Sequence, residues 1–194
     1  MKDIANFLFE IGMLKLTPRS GLQFLGSGNE SVAEHGFRMI MIAYTLAKLD
    51  PQVDENRVVK MALFHDILES RTGDLNYVNK KYVEVNEEKA ANELTEHLPF
   101  GDEVKEFLRE FSEKKTPESL VANDADQLEL ILMLKEYGDL GNKYTKDWIT
   151  FALKRLHTDQ AKKIAKAILS TDRTEWWFKD KSDWWIWGRK NGKP

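Results

Sequence analysis

The spacing of apolar residues along this chain limits it to one class of fold. No segment shows a convincing alternation of apolar and polar residues with the two-residue period of a half-buried strand. Apolar residues recur instead with the period of an amphipathic helix, between segments that carry capping and turn signals. Helices without a sheet must bury their apolar faces against one another. The sequence therefore predicts an all-α fold, and the lack of an internal repeat or linker predicts a single domain.

Local signals predict where the helices begin and end. Ser31 and Glu34 form a capping box, which predicts a helix to about residue 49. Asp54 caps the next helix, which carries apolar residues on to His65. Thr116, followed by a proline at the first helical position, opens a helix to about residue 137. Further helices are expected at 3–14, 84–97, 102–111 and 145–169, with turns at 17–21 and 26–29 and a loop at 73–79.

Composition and charge argue against several classes of protein. With no cysteine, the chain forms neither disulfides nor thiolate metal sites, and a reducing cytoplasm is its expected location. No apolar run is long enough to cross a bilayer, and acids interrupt the apolar N-terminal stretch, so neither a membrane span nor a signal peptide is expected. The net charge of −3 argues against duplex nucleic acid as the main partner, since such proteins need a clustered positive field.

Two histidines and two aspartates form the most informative set of polar residues. The pair His65-Asp66 lies inside an apolar helix and is expected to be buried, where a carboxylate needs a cation or several hydrogen-bond donors. His35 lies one helix upstream, near a helix N-terminus whose dipole favours the neutral ring that binds metal. Asp126 lies further downstream on another helix. These side chains make a mixed N/O set that suits a borderline or hard divalent cation.

Plainer interpretations of these residues stay open at this point. Taken alone, a histidine placed like His35 is more often a core or surface residue hydrogen-bonded to a carbonyl than a metal ligand. Glu69, predicted on the same helix face as the His-Asp pair, is either an exposed glutamate or a base that orients or deprotonates an attacking water. Asp124 is a rival to Asp126. Because two residues that are two positions apart on a helix do not share a face, only one of them joins the site.

Five stretches of the chain resemble, in order, the 5′-deoxynucleotidase branch of the HD-domain metal-dependent phosphohydrolases. They are MLKLTPRSGL at 13–22, ESVAEH at 30–35, HDILE at 65–69, TGDL at 72–75 and ADQL at 125–128. The resemblance extends over residues 5–165. It implies a single-domain helical bundle of the HD-domain type. It also implies one bound divalent metal ion and hydrolysis of (deoxy)nucleoside 5′-monophosphates to nucleoside and phosphate.

The resemblance also implies a role for each residue of the expected site. The four implied metal ligands are His35, His65, Asp66 and Asp126. Glu69 is the implied catalytic acid that activates water, Arg19 the cation that binds the phosphate, and Asp74 an acid that contacts the substrate. The metal is Mn, Co, Ni, Fe or Zn, since ligand chemistry alone does not choose among them. The ADQL stretch favours Asp126 over Asp124, which is then expected to be surface charge only.

Two other functions fit parts of the same pattern. One is hydrolysis of another nucleotide phosphate, such as a triphosphate or a guanosine alarmone. The other is nucleotide binding by an HD protein without turnover. Glu69 favours an enzyme over a binding protein, because binding needs no general base. Some relatives carry an aromatic residue after the phosphate-binding arginine, where this chain has Ser20, so the preferences for base and sugar are left open.

The C-terminal end differs from the rest of the chain in composition. Residues 173–194 hold five of the six tryptophans, and six Lys or Arg against three Asp or Glu give this segment a net charge of +3. That much aromatic surface does not stay solvated. We therefore expect a phosphohydrolase domain at 1–172 and an extension at 173–194 that packs on that domain or on a partner subunit of a homo-oligomer.

Overall fold

The computed structural model describes residues 1–179, 182 and 184–188, except for the side chain of Trp187. Within these residues the regular structure is helical and no strand is present. The only β-type pairing there is one isolated antiparallel bridge between Pro18 and Ser31. The helices are α1 (Lys2–Ile11), α2 (Leu22–Leu25), α3 (Val32–Leu49), α4 (Glu55–Phe64), α5 (Glu69–Thr72), α6 (Glu87–Thr95), α7 (Gly101–Glu113), α8 (Pro117–Asp139), α9 (Thr145–Lys154), α10 (Asp159–Ser170), α11 (Glu175–Phe178) and α12 (Trp184–Trp187). Short 3₁₀ turns lie at Gly12–Lys15 and Asn79–Lys81. The prediction of an all-α fold is confirmed.

The capping signals set the helix starts that were predicted from them. The hydroxyl of Ser31 accepts from the backbone N–H of Glu34 at 3.2 Å, and the Glu34 carboxylate accepts from the Ser31 N–H at 2.7 Å. Thr116 makes the equivalent cap ahead of α8, with Pro117 at the first helical position. Asp54 accepts from backbone donors in the first turn of α4. These predictions are confirmed, and they depend only on residues within one helical turn.

Helix α4 ends earlier than its apolar pattern predicted. It ends at Phe64, and residues 65–68 form a turn in which the N–H of Glu69 donates to the carbonyl of Asp66 at 3.0 Å. Glu69 then begins the separate short helix α5. The prediction that His65 and Asp66 lie inside a helix that shares a face with Glu69 is therefore wrong. In this turn Oδ2 of Asp66 lies 2.9 Å from Nε2 of His65, so the two side chains of the pair meet.

The predicted helix at 145–169 is two helices, α9 and α10, and Asp124 stabilises the break between them. Its carboxylate accepts from the backbone N–H of His157 at 2.7 Å and of Thr158 at 2.8 Å. The hydroxyl of Thr158 in turn caps α10. Asp124 is fully buried, so the expectation that it is only surface charge is wrong. The two hydrogen bonds to this buried carboxylate stabilise the break, and they outweigh the local preference for one continuous helix.

Helix α8 lies at the centre of the bundle and packs against α3, α4, α7, α9 and α10. The largest fully buried apolar side chains come from these central helices: Met39, Leu46, Met61, Leu128, Ile131 and Leu134. Because α3 and α8 pack along their lengths, polar residues on their facing sides are held close together inside the bundle. None of the helices in the described ranges combines the length and apolarity needed to cross a membrane.

Tryptophans of the C-terminal segment contact one another. The rings of Trp177 and Trp185 meet edge to face with centroids 5.4 Å apart, and those of Trp184 and Trp185 do so at 4.9 Å. Such pairs have the geometry that aromatic quadrupoles favour. Trp176 remains 86% exposed and Trp177 remains 45% exposed. A boundary near residue 172 and packing of this segment on a surface beyond it stay predictions.

Candidate active site

The rings of His35 and His65 are oriented so that one nitrogen of each points to the same place. His65 donates its Nδ1–H to the carbonyl of Ala62 at 2.8 Å. His35 donates its Nδ1–H to Oε2 of Glu129 at 2.6 Å. In a neutral imidazole the other nitrogen then carries a lone pair. These two Nε2 atoms lie 3.3 Å apart, and a cation between them would satisfy both.

Carboxylates from the turn after α4 and from α8 complete this group. Oδ2 of Asp66 lies 2.9 Å from the Nε2 of His65 and 3.6 Å from that of His35. Oδ1 of Asp126 lies 3.3 Å from the Nε2 of His35. One donor atom from each of His35, His65 and Asp126 falls within a 4.8 Å cluster. The structure thus brings together the four residues that the sequence singled out, although they come from three separate parts of the chain.

The electrostatics of the cluster favour a positive charge at its centre. Burial raises the pKa of Asp126, but the hydrogen bond from His35 and that ring's charge outweigh it and hold the pKa below its usual range. Burial lowers the pKa of His35, but the hydrogen bonds to Asp126 and Glu129 outweigh it and raise the pKa to about 10. Without a cation, the two carboxylates in contact with the ring thus act on it more strongly than the helix end, which by itself favours the neutral ring.

The donor set fits a divalent cation. When both imidazoles are neutral, the atoms that the two rings and the two carboxylates direct at one another are all hydrogen-bond acceptors. A dication bound here would take the place of the proton on His35 and would be within reach of the clustered ligand atoms of His35, His65 and Asp126. Two nitrogen and two oxygen ligands suit the borderline metals from Mn²⁺ to Zn²⁺. They do not suit a metal that requires thiolate ligands.

Arg19 brings a guanidinium to the edge of the cluster. Its Nη1 lies 3.6 Å from Oδ2 of Asp66, and its side chain is 17% exposed. Its backbone N–H donates to the carbonyl of Glu30 at 2.9 Å, next to the bridge between Pro18 and Ser31. Burial lowers the pKa of Arg19, but Asp126 and Asp66 outweigh it and raise the pKa. The guanidinium is thus a permanent cation, held at the site by a backbone pairing.

Glu69 carries the features of a proton-transfer group. It lines the same cavity as Arg19 and Asp66, and its Oε2 is buried without a hydrogen-bond partner among the described residues. Burial raises its pKa to about 8, with help from the negative charges of Asp66 and Asp74. A carboxyl group poised in this way near neutral pH both accepts and releases a proton readily.

Asp74 lies on the loop after α5 and reaches back to the segment that carries Arg19. Its Oδ2 accepts from the backbone N–H of Ser20 at 2.7 Å. Both Asp74 and Arg19 line the cavity. The hydrogen bond ties the loop to the neighbour of Arg19, so Asp74 holds the position of the guanidinium as well as facing the cavity.

Comparison with known proteins identifies the family of this chain. A protein-family model described as the HD domain matches residues 11–168. This chain belongs to the HD-domain family. The 5′-deoxynucleotidase HDDC2 of Bos taurus is 33% identical to it over 148 residues, which are 73% of this chain and 71% of the relative. The 5′-deoxynucleotidase hdd1 of Schizosaccharomyces pombe is 33% identical over 145 residues, with 70% and 72% covered.

Solved structures resemble this HD domain over most of its length. The PH0347 protein of Pyrococcus horikoshii OT3 superposes with a TM-score of 0.71 at 28% identity, covering 85% of this chain and 98% of that one. A protein of Magnetospirillum magnetotacticum MS-1, described as a predicted metal-dependent phosphohydrolase, has a TM-score of 0.68 at 27% identity, covering 87% and 90%. The family and the cluster of His35, His65 and Asp126 together assign this chain to the metal-dependent phosphohydrolases.

Two residues of this HD domain that sequence reasoning missed support His35 from behind. Glu129 is fully buried, and its Oε1 accepts from Nε and Nη2 of Arg38 at 2.9 and 2.6 Å. Arg38 also donates to Glu136 at 2.9 Å. Glu129 lies three positions after Asp126, and Arg38 three positions after His35. That helical spacing was the signal that could have found them.

A second set of contacts holds the other oxygen of Asp126. Nε2 of Gln127 donates to Oδ2 of Asp126 at 2.8 Å, and Oε1 of Gln127 accepts from Nε of Arg155 at 2.6 Å. Arg155 donates in turn to the hydroxyl of Tyr77, on the loop that also carries Asp74. The network leaves Oδ1 of Asp126 facing His35. It therefore links the cavity loop to one of the aspartates of the cluster.

The cavity of this HD domain is lined by a charged group and an apolar group of side chains. The charged group is Arg19, Asp66, Glu69 and Asp126. The apolar group is Leu22, Leu130, Met133 and Trp148, which belong to one apolar cluster. The cavity volume is about 180 Å³. This arrangement suits a small ligand with an anionic head and a flat or apolar body.

Proposed function

We propose that this HD domain is a metal-dependent phosphomonoesterase that hydrolyses (deoxy)nucleoside 5′-monophosphates to nucleoside and phosphate. The observation that carries the proposal is the convergence of the His35 and His65 Nε2 atoms beside Arg19 and the unpartnered Glu69. Relatives that bear the name 5′-deoxynucleotidase and share about a third of their residues with this chain support the same activity.

The metal ligands of the proposed site are His35, His65, Asp66 and Asp126. The ion they hold is one divalent cation of the Mn, Co, Ni, Fe or Zn group. When bound, such an ion offsets phosphate charge and lowers the pKa of a coordinated water. The residues of the chain hold the site ready for it, because both rings are already fixed through their Nδ1 atoms.

Arg19 binds the phosphate group of the substrate. A guanidinium donates two parallel hydrogen bonds to phosphate oxygens and stabilises the charge that spreads over them as the ester bond breaks. Its neighbour Ser20 is held by Asp74 at 2.7 Å, so the guanidinium does not have to be ordered when the substrate arrives. Asp74 thereby acts on the substrate both as a cavity wall and through Arg19.

Glu69 moves the proton that hydrolysis requires. It takes the proton of the attacking water or hands one to the leaving 5′-oxygen of the nucleoside. A carboxyl group with a pKa of about 8 and a free, buried oxygen performs either transfer without first breaking a hydrogen bond. Its presence favours turnover over simple nucleotide binding.

The charge of the cavity favours a monophosphate over a polyphosphate. Among the residues that line it, Arg19 and Lys80 are the cations, against the carboxylates of Asp66, Glu69, Asp74 and Asp126. A triphosphate brings more negative charge than a monophosphate, and the four carboxylates of the lining leave no surplus of positive charge to offset it, even with one dication bound. We therefore rank hydrolysis of nucleoside triphosphates or alarmones below hydrolysis of monophosphates.

A panel of nucleoside mono-, di- and triphosphates, assayed with each of the five metals, tests the proposal. We expect phosphate release from the 5′-monophosphates, complete loss with a chelator and recovery when metal is returned. Arg19→Ala should raise KM for the monophosphates, whereas Arg109→Ala, an exposed arginine on α7, should not. Release from triphosphates alone, or no release with any metal, would overturn the proposal.

We further propose that the protein is a cytoplasmic homo-oligomer. The support for oligomerisation is the aromatic surface of the C-terminal segment, where Trp176 and Trp184 remain exposed within one chain. The support for a reducing compartment is the absence of cysteine.

A further inference from the structure

The apolar group that lines the cavity contains an aromatic ring that the phosphate chemistry does not use. Trp148 lies on α9 and lines the cavity together with Leu130 and Met133. Its ring carbons lie 3.6 and 3.7 Å from the point that a Cβ on Gly21 would occupy. Gly21 is two residues from Arg19. The indole ring is therefore placed over the backbone of the same segment that carries the phosphate-binding guanidinium.

The packing around Trp148 fixes the ring without enclosing it. It contacts a buried apolar cluster that includes Leu22, Leu25 and Met133, yet the residue stays half-buried and lines the cavity. A rigid aromatic wall of a cavity presents a flat π-surface at little entropic cost. Leu22 and Met133 line the cavity too but are almost fully buried, whereas Trp148 keeps part of its ring accessible.

Tyr77 is the other aromatic residue that lines the cavity, and it is already engaged. Its hydroxyl accepts from Arg155, and the guanidinium of Arg155 lies 5.7 Å from the centroid of its ring. Ser20, next to Arg19, offers no ring. Trp148 is therefore the aromatic side chain in the described lining whose ring has no polar partner on its face.

We propose that Trp148 stacks on the nucleobase of the substrate and is a specificity-determining residue for nucleotides over other phosphate esters. The inference rests on the proposed monophosphatase function. With the phosphate held at Arg19 and the metal ligands, the rest of a nucleotide extends along the cavity toward Trp148. Stacking on an aromatic side chain contributes affinity for any base, since each base has a π-face.

The test compares two substrates that share the reacting centre, a deoxynucleoside 5′-monophosphate and 2-deoxyribose 5-phosphate, which lacks the base. Trp148→Ala should raise KM for the nucleotide about 5- to 150-fold, the range expected for loss of one stacked base. KM for the sugar phosphate and kcat for both substrates should change little. Phe151→Ala, an exposed aromatic on the same helix, is the matched control and should leave both substrates unaffected.

Two further variants separate stacking from packing. Trp148→Phe keeps a ring and should retain most of the nucleotide preference, whereas Trp148→Leu fills the core without a ring and should lose it. Melting temperatures of all variants show whether the fold is kept. Equal effects of Trp148→Leu on the nucleotide and the sugar phosphate would overturn the stacking role. If the wild-type protein hydrolyses the sugar phosphate as well as the nucleotide, the stacking proposal fails while the phosphatase stands. If it hydrolyses neither substrate, the proposed function itself fails.

Discussion

His35 donates its Nδ1–H to Oε2 of Glu129 over 2.6 Å, and both side chains are completely buried. The other oxygen of Glu129 is held by Arg38, so the carboxylate has no freedom to turn away. A carboxylate that grips the far nitrogen of an imidazole fixes its tautomer and its direction, and it makes the near nitrogen a stronger ligand. The orientation of His35 toward the site is therefore decided by a buried residue that is not among those lining the cavity.

Glu129→Gln should weaken metal binding about 10- to 100-fold, the usual cost of losing such a supporting contact. The amide still accepts one hydrogen bond, but it carries no negative charge toward the His35 ring, and Arg38 keeps the carboxylate of Glu136 at 2.9 Å. The dissociation constant for Mn²⁺, measured by calorimetry, checks this. Glu136→Gln is the matched control, because Glu136 also binds Arg38 but does not reach His35. Equal affinities for Glu129→Gln and the wild type would show that the contact does not orient the ligand.

Substitution of Asp124 should lower the stability of the fold, whereas substitution of Asp126 should abolish metal binding. Asp124→Ala removes the buried carboxylate that accepts from the N–H groups of His157 and Thr158, so the free energy of unfolding should fall by about 1–3 kcal/mol. Its affinity for Mn²⁺ should stay close to the wild-type value. Asp126→Asn should lose metal binding instead. Urea denaturation and calorimetry on the same two proteins check both halves, and a reversed pattern would exchange the roles assigned to the two residues.

Glu69→Gln should reduce kcat by about 10²- to 10⁴-fold while metal affinity is retained, because the amide keeps the shape of the side chain but transfers no proton. The measurement is steady-state kinetics on a 5′-monophosphate together with the Mn²⁺ dissociation constant. Glu93→Gln, an exposed position that pairs with Arg71, controls for loss of a negative charge on the surface. Full activity in Glu69→Gln would remove the residue from proton transfer.

Glu30→Gln should stabilise the protein at neutral pH. Burial, and next the negative charge of Glu129, raise the pKa of the Glu30 carboxyl, and its Oε2 is buried without a partner among the described residues. The native state thus holds this proton more tightly than the unfolded chain, whose pKa is about 4.5. The stabilising effect of the proton is present below that pH and is lost as the pH rises through the native pKa.

Melting temperatures from pH 4 to 8, recorded with a chelator present, check this prediction. The variant should melt higher than the wild type at pH 7, and the difference should shrink toward pH 4, where Glu30 is protonated in both states. A constant difference across the range would mean that the substitution acts through packing and not through the charge.

Deletion of residues after Ser170 should lower the number of subunits in the oligomer that the protein forms in solution. Tryptophan side chains each bury about 150–250 Å² when covered, and a contact between subunits is one way to cover those of the C-terminal segment. Sedimentation of the full and truncated proteins decides this, with the double variant Trp176→Ser and Trp184→Ser as a milder test of the same surface. If truncation changes neither the number of subunits nor the stability, the segment belongs to neither an interface nor the core.

The sequence alone was sufficient for those features that depend on neighbouring residues. The starts of α3, α4 and α8 follow from Ser31, Asp54 and Thr116, because a cap and its backbone donors lie within one turn. The all-α class follows from the period of the apolar residues, which is also a local property. The residues of the site carried enough of a known pattern to be singled out before any distance was known.

Tertiary structure alone decided the features that join distant parts of the chain. Asp124 breaks the predicted last helix 33 residues away, and Glu129 orients a histidine 94 residues earlier. Trp148 reaches the cavity only because α9 packs against α8 beside Gly21. Such contacts depend on which buried groups need partners once the helices have packed, and no local pattern records that choice. Hence the helix starts that depend on a cap could be predicted from sequence, whereas the end of α4, the break between α9 and α10 and the supports of the site could not.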